Sequence, residues 1–224
     1  MDTSREFDRF LQTGPASLEY PRSDLAPNTT FVGVLPQEEF AGTLPDWWQD
    51  LDGDRPVVHV TQGTIDNTDF GRLVRPTLDA LADRDYLVVV TTGGRDAASV
   101  GPVPGNARIA EYLPYGLLLP RTDVMASNGG YGGVQAALAS GVPLVVAGDT
   151  EEKPEVAARV GWTGSGINLR TGSPTSHVLA RAIEEVLDDP SYRAAAQRIA
   201  ADAAQHATFT EIEAELDAAK ASLR

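Results

Sequence analysis

Asp123-Val124-Met125-Ala126-Ser127-Asn128-Gly129-Gly130-Tyr131-Gly132-Gly133 decides how this chain is read. The run from 123 to 127 is apolar enough for a strand buried on both faces. Glycine then fills four of the six positions from 128 to 133. Behind it, Val134, Ala137 and Leu138 fall on one face of a helix. A strand, a glycine turn and a helix in that order make a place where a ligand can approach the backbone closely. The unpaired amides and positive end of the helix would face a phosphate there. The stretch is neither G-x-G-x-x-G nor a Walker loop, since no Gly-Lys-Ser/Thr follows. A tight strand-to-helix turn with no ligand is the structural alternative.

The same alternation extends to both sides. Strands are predicted at 57–61, 87–91, 107–112, 143–147 and 166–169. Helices are predicted over 69–83, over 115–119 and from 155. Pro76 is expected to kink the first of these. A helical tail starts at Ser173-Pro174 with the stripe Leu179, Ala182, Ile183, Val186 and Leu187. Asp189-Pro190 breaks it, a second helix starts near Ser191, and a third starts near Thr210 with a Thr210/Glu213 capping box. Apolar strands alternating with helices predict an α/β fold with a doubly wound, Rossmann-like parallel sheet. Ligands of such sheets lie beyond the carboxyl ends of the strands, so the chemistry is expected in the loops after Thr61, Thr91, Tyr112, Ser127 and Ala147.

Residues 1–54 read differently. They are rich in Pro, Gly and Asp, and only 30–34 has strand character. Trp47-Trp48 is expected to anchor the segment on a packed surface. The organisation expected is therefore a leading segment over 1–54 and one domain over 55–224.

Composition excludes several functions. The chain has 224 residues, with 18 basic against 32 acidic side chains and a net charge of −14. Such a chain does not hold nucleic acid or anionic lipid through a broad field. It has no cysteine, which removes disulfides, thiolate metal sites and thiol catalysis and fits a cytoplasmic location. No apolar run of about 18 residues is present for a membrane span, and the first residues lack a signal peptide's apolar segment.

The remaining loops supply candidates. Gln62-Gly63-Thr64 offers a hydroxyl and amides. Thr92-Gly93-Gly94-Arg95 offers a cation, or a solvated arginine. Asp149 to Glu155 offers polar groups suited to sugar hydroxyls, or an acidic, capped helix start. His59 lies inside a strand and reads as buried structure. No histidine pair has metal-ligand spacing, and Gly-x-Ser-x-Gly is absent.

Taken together, 57–64, Arg75-Pro76-Thr77-Leu78, 89–94, Tyr112-Leu113-Pro114, 127–133, Gly141-Val142-Pro143 and 166–169 resemble the carboxyl-terminal, donor-binding half of a GT-B glycosyltransferase. The likeness is to the bacterial macrolide and antibiotic type, related to the UDP-glucuronosyl/glucosyltransferases, and it spans about residue 20 to the end.

The resemblance implies roles by position. Thr64 would lie near the donor diphosphate, and Leu113 would read a pyrimidine through its backbone. Asn128 stands where the family usually has histidine. Gly130, Gly132 and Gly133 would form the amide cradle. Glu152 and Lys153 stand where an Asp-Gln pair holds sugar hydroxyls. Gly133 replaces a hydroxyl residue, and Ala136 replaces a ribose-binding glutamate, with Gln135 adjacent.

The implied ligand is a UDP- or TDP-sugar, with no cofactor and no metal. The implied reaction moves a hexose or deoxyhexose to a hydroxyl of a small hydrophobic acceptor. The family's acceptor pocket and base lie on an amino-terminal half, of which 1–54 would be the last piece plus the linker. No catalytic residue is therefore expected on this chain, and it would need that half or a partner subunit to turn over. A non-catalytic helper that docks on a separate half is the second reading. A GT-B-fold epimerase is the third.

Overall fold

In the computed structural model the described residues are 3–37 and 40–222. The main sheet holds six parallel strands: β3 (Val57–Thr61), β4 (Leu87–Thr91), β5 (Ala107–Ala110), β6 (Val124–Ser127), β7 (Leu144–Val146) and β8 (Gly166–Asn168). Their order is β5-β4-β3-β6-β7-β8. β3 pairs on one side with β4 (His59 opposite Val89) and on the other with β6 (His59 opposite Met125). The strand order therefore reverses at β3/β6, and the loops after these two strands open into the crevice where such folds bind ligands.

Both faces of the sheet are covered, which is why its central strands are continuous apolar runs. Val58, Val60, Val88 and Val90 pack on one face against Val74 and Leu78 of α1 (Val74–Leu81) and Leu179 and Ile183 of α5 (Ser176–Asp188). On the other face Met125, Leu144 and Val146 meet α3 (Tyr131–Ala139), α4 (Lys153–Thr163) and α6 (Pro190–Ala203) through Val134, Val156 and Ile199. A short helix, α2 (Tyr115–Leu118), places Leu118 beside Val57, Leu87, Val89 and Trp48.

Trp48 is buried in that third cluster, with Arg121 5.9 Å over its ring. The anchoring expected of the tryptophan pair is what the structure has.

The first residues are better ordered than their composition suggests. β1 (Phe10–Gln12), a strand absent from the sequence reading, pairs in parallel with β2 (Thr29–Phe31), the shortened form of the strand expected over 30–34. The segment is tied to α3 and α4. Tyr131 Oη donates to Thr13 O at 2.9 Å, as does Gln135 Nε2, and Arg159 pairs with Glu19 at 2.7 Å.

Several helix ends differ from expectation: α4 starts at Lys153 rather than 155, and α5 starts at Ser176, capped by Thr175 rather than opened by Pro174. The helix expected over 69–83 is only Val74–Leu81, and Pro76, in its first turn, needs no intrahelical N–H partner and introduces no break. The start is set from eleven residues upstream, where buried Gln62 Oε1 accepts the Leu73 and Val74 N–H groups at 3.2 and 3.1 Å. Replacing Gln62 by Leu strands these amides, and we expect a loss of about 2 kcal/mol in urea unfolding.

The last helix, α7, begins at Thr208, so Thr210 and Glu213 do not form its cap. Instead Glu211 reaches back to the Ala207 N–H at 2.8 Å and to His206 Nδ1 at 2.9 Å. Thr208 Oγ1 donates to Val34 O at 2.9 Å.

Candidate functional site

A cleft of about 710 Å³ opens at the carboxyl ends of the strands, built from the loops after β3, β4, β5, β6 and β7. Thr64, Leu113, Asn128, Gly130, Gly132, Gly133, Glu152 and Lys153 all line it. Positions spread over ninety residues of sequence are thus gathered in one site by the order of the strands.

The glycine turn separates into two kinds of glycine. Gly129 is structural: its φ is +86°, and a Cβ there would sit 2.9 Å from Val146 Cγ1. Gly132 is not, since a Cβ on it meets nothing within 4 Å. On Gly130 and Gly133 it would meet only Asn128 Oδ1 and Met125 Cε at ordinary contact distance. Nothing in this chain's own packing requires these three to lack a side chain. Gly130 is the N-cap of α3 and no side chain caps the helix. The first intrahelical bond is Val134 N–H to Gly130 O at 3.1 Å. The N–H groups of Tyr131, Gly132 and Gly133 precede it and point out of the helix end. An open surface of amides at a helix N-terminus is suited to an anion.

Asn128 is buried, and its amide is committed within the protein. Nδ2 donates to Gln62 O at 2.6 Å, and Oδ1 accepts the Gly130 N–H at 3.4 Å. It ties the β3 and β6 loops together and brings no positive charge. Leu113 presents its main chain: among the described residues neither its N–H nor its carbonyl has an intramolecular partner. Beside it Tyr112 is 64% exposed in the cleft wall, a broad ring next to a free amide and carbonyl. Sequence reading placed Tyr112 in a strand and missed it; its position directly before Leu113-Pro114 was the available signal.

The loop after β7 carries a charge network. Lys153 is 4% exposed, yet its ammonium lies 3.3 Å from Asp66 Oδ2 and 3.1 Å from Thr150 Oγ1, and pairs with Glu151. A lysine has three N–H donors, and all three are used. Burial disfavours the charged amine, but Glu151 and Asp66 outweigh it and raise its pKa. Glu152 is the exposed N-cap of α4. Glu151 holds a left-handed φ of +54°, uncommon for a residue with a side chain. Asp66, from the β3 loop, has its pKa lowered by the Thr150 hydroxyl, helped by Lys153 and Arg72 against some desolvation.

Below the cleft floor His59 is fully buried and its pKa is lowered to about 4 by desolvation, which the bond to Val89 only partly offsets. Nδ1 lies 3.0 Å from Val89 O, an acceptor only, so Nδ1 carries the proton and Nε2 accepts from Tyr115 Oη at 3.3 Å. Tyr115 lines the cleft and also bonds Thr61 and Thr91. Buried Asn67 joins two loops by donating to Gly63 O and Thr92 O, both at 2.9 Å. Neither Tyr115 nor Asn67 was identified from the sequence, because their partners lie on other strands.

Some candidates lie elsewhere. Arg95 bonds Asn67 Oδ1 at 2.7 Å and faces a separate hollow beside Arg75. Ala136 packs in the core, and Gln135 is held by Thr13. Neither lines the cleft, so Gln135 does not stand in for a ribose-binding carboxylate.

Residues 75–219 match the family described as "Erythromycin biosynthesis protein CIII-like, C-terminal domain". The chain is 49% identical over 195 residues to 4'-demethylrebeccamycin synthase of Lentzea aerocolonigenes, covering 86% of this chain and 45% of that protein. It also superposes on the glycosyltransferase SnogD from Streptomyces nogalater with a TM-score of 0.74 at 30% identity, over 93% of this chain and 56% of that one. For the glycosyltransferase VinC in complex with dTDP the TM-score is 0.73 at 26% identity, over 93% and 51% of the two chains. The chain thus spans about half the length of the proteins it matches. With the family match over well more than half of the chain, and the sheet and cleft already described, it belongs to the erythromycin biosynthesis protein CIII-like C-terminal domain family, the carboxyl-terminal domain of GT-B glycosyltransferases.

Proposed function

We propose that the cleft binds a nucleoside diphosphate sugar and that the chain acts as the donor half of a hexosyl or deoxyhexosyl transferase working in the cytoplasm. The observation that carries this reading is the bare helix N-terminus at Gly130, Gly132 and Gly133, whose missing side chains this chain's own packing does not explain. A diphosphate seated there would take the amides of α3. Its departure as a leaving group would be stabilised by those same amides, which need no reorganisation. The free main chain of Leu113 and the ring of Tyr112 suit a pyrimidine, by hydrogen bond and by stacking. That VinC, a structural neighbour, holds dTDP supports a UDP- or TDP-sugar.

In this reading residues 1–54 are the end of an acceptor domain and its linker, and 55–224 the donor domain. The acceptor, a small hydrophobic molecule with a hydroxyl, and the base that deprotonates it belong to an amino-terminal half, on the same polypeptide or on a partner subunit. Calorimetry with UDP and TDP tests donor binding. The expected result is saturable, weak binding by the 224-residue chain and no sugar transfer by the chain alone. Transfer at ordinary enzymatic rates by the isolated chain would contradict the division of labour. The second reading, a non-catalytic subunit, is favoured by the committed amide of Asn128, which leaves no cation at the glycine turn. Absence of nucleotide binding at millimolar concentration would favour it.

A further inference from the structure

Lys153 has no donor left for a ligand, and the consequence lies in the residue that it holds. We infer that Asp66 accepts a hydroxyl of the donor sugar and that Lys153 is the positioning residue that fixes it; this rests on the donor reading above.

The bonding of Asp66 is one-sided. Thr150 Oγ1 donates to Oδ2 at 2.9 Å, Lys153 Nζ lies 3.3 Å from the same atom, and Arg72 Nη1 lies 3.4 Å from it. Among the described residues no donor reaches Oδ1. The carboxylate lines the cleft with its side chain 28% exposed. One oxygen is therefore clamped by two cations and a hydroxyl, while the other, on a residue that lines the cleft, is an acceptor with no donor among the described residues. The clamp keeps the group ionised and in one orientation, as a hydrogen-bonding site for a neutral hydroxyl requires.

Its place in the cleft suits a sugar attached to the diphosphate. The Asp66 carbonyl lies 3.4 Å from Asn128 Nδ2, on the residue that opens the glycine turn. The β-carbon of Lys153 lies 3.5 Å from where a Cβ on Gly129 would stand. Asp66 thus touches the residue that opens the glycine turn, and its side chain pairs with the first residue of α4. Glu151 and Glu152 line the same wall. A hydroxylated, uncharged hexose fits this surface. A uronic acid would place a fourth carboxylate against these three.

The test compares ligands on the same variants. We expect Asp66→Asn to weaken binding of UDP-glucose or TDP-glucose by roughly tenfold to a hundredfold, the range of one charge-assisted hydrogen bond. Binding of UDP or TDP should change by less than about threefold. Lys153→Gln should reproduce the sugar-selective loss, and the double variant should lose no more than Asp66→Asn alone. Wild-type protein should prefer UDP-glucose to UDP-glucuronate, and Asp66→Asn should narrow that preference. Melting temperatures of all variants separate misfolding from loss of the contact. Should Asp66→Asn unfold, the sugar-selective loss expected of Lys153→Gln decides. Equal losses for nucleotide and nucleotide-sugar, or no preference against the uronate, overturn the assignment of Asp66 and leave the donor site standing. Failure of wild-type protein to bind any of these nucleotides overturns both.

Discussion

Gly132→Val is expected to abolish nucleotide binding while leaving the fold intact. A Cβ at Gly132 meets no atom within 4 Å outside its own helix turn, and its φ is not in the left-handed region, so neither a core contact nor the backbone conformation opposes the substitution. Helix propensity falls in its favour, since glycine is the poorer helix residue. Gly132 is the second residue of α3, and side chains on a helix tilt toward its N-terminus, so the added isopropyl group is expected to crowd the first amides. Displacing a diphosphate from two such amides costs roughly a hundredfold or more in affinity, at about 1.5–3 kcal/mol for each hydrogen bond to a charged group. The control is Gly129→Ala, where the left-handed φ and the 2.9 Å approach to Val146 predict lost stability. If Gly132→Val bound UDP and TDP as the parent does, the open amides would not be the phosphate site.

The second large effect is a dependence of stability on pH that originates under the cleft floor. His59 titrates at 6.5 in an unfolded chain, but folding lowers its pKa to about 4 because burial disfavours the imidazolium. A depressed folded pKa means that the unfolded state binds more protons between these values, so stability rises with pH across the window. The contribution is fully present above pH 6.5 and is lost as pH falls toward 4. With those two values the loss by pH 4.5 is about 2.5 kcal/mol. Asp66 and Glu211, whose pKa values are lowered from 3.8 and 4.5, add their losses mainly at more acid pH. Urea unfolding of the parent and of His59→Gln at pH 7.0, 5.5 and 4.5 would show it. The parent should lose stability steeply over this range and the variant should not. Parallel curves would mean that His59 is not the group responsible.

How much of this was legible in the sequence depends on where each residue's partners lie. The sheet was legible because parallel strands covered on both faces must be largely apolar, as 87–90 and 124–126 are throughout and 57–60 is apart from His59. The glycine turn was legible because its composition departs from any ordinary loop. What the sequence could not separate was Gly129 from Gly132: one is fixed by backbone conformation and Val146, the other by the absence of any neighbour. The start of α1 was misread because its cap is the Gln62 side chain rather than a local Ser, Thr or Asp. β1 was missed because three residues, Phe10 to Gln12, carry too little pattern, and its pairing with β2 is tertiary. Lys153 reads in the sequence as a foreign charge in a sugar pocket. In the fold it is neutralised by Asp66, eighty-seven positions away, and by Glu151. No local pattern reports such a pairing.

The central claim is a location: a nucleoside diphosphate sits against the N-terminus of α3 with its base at Leu113. Backbone amide NMR of the isotope-labelled chain, titrated with UDP and with TDP, measures that location directly. The account predicts saturable shifts that are largest at the amides of Leu113 and of Gly130 through Gly133, with small changes at the far hollow around Arg75 and Arg95. Shifts centred on that hollow or on the β1/β2 segment, or none at millimolar nucleotide, would contradict it.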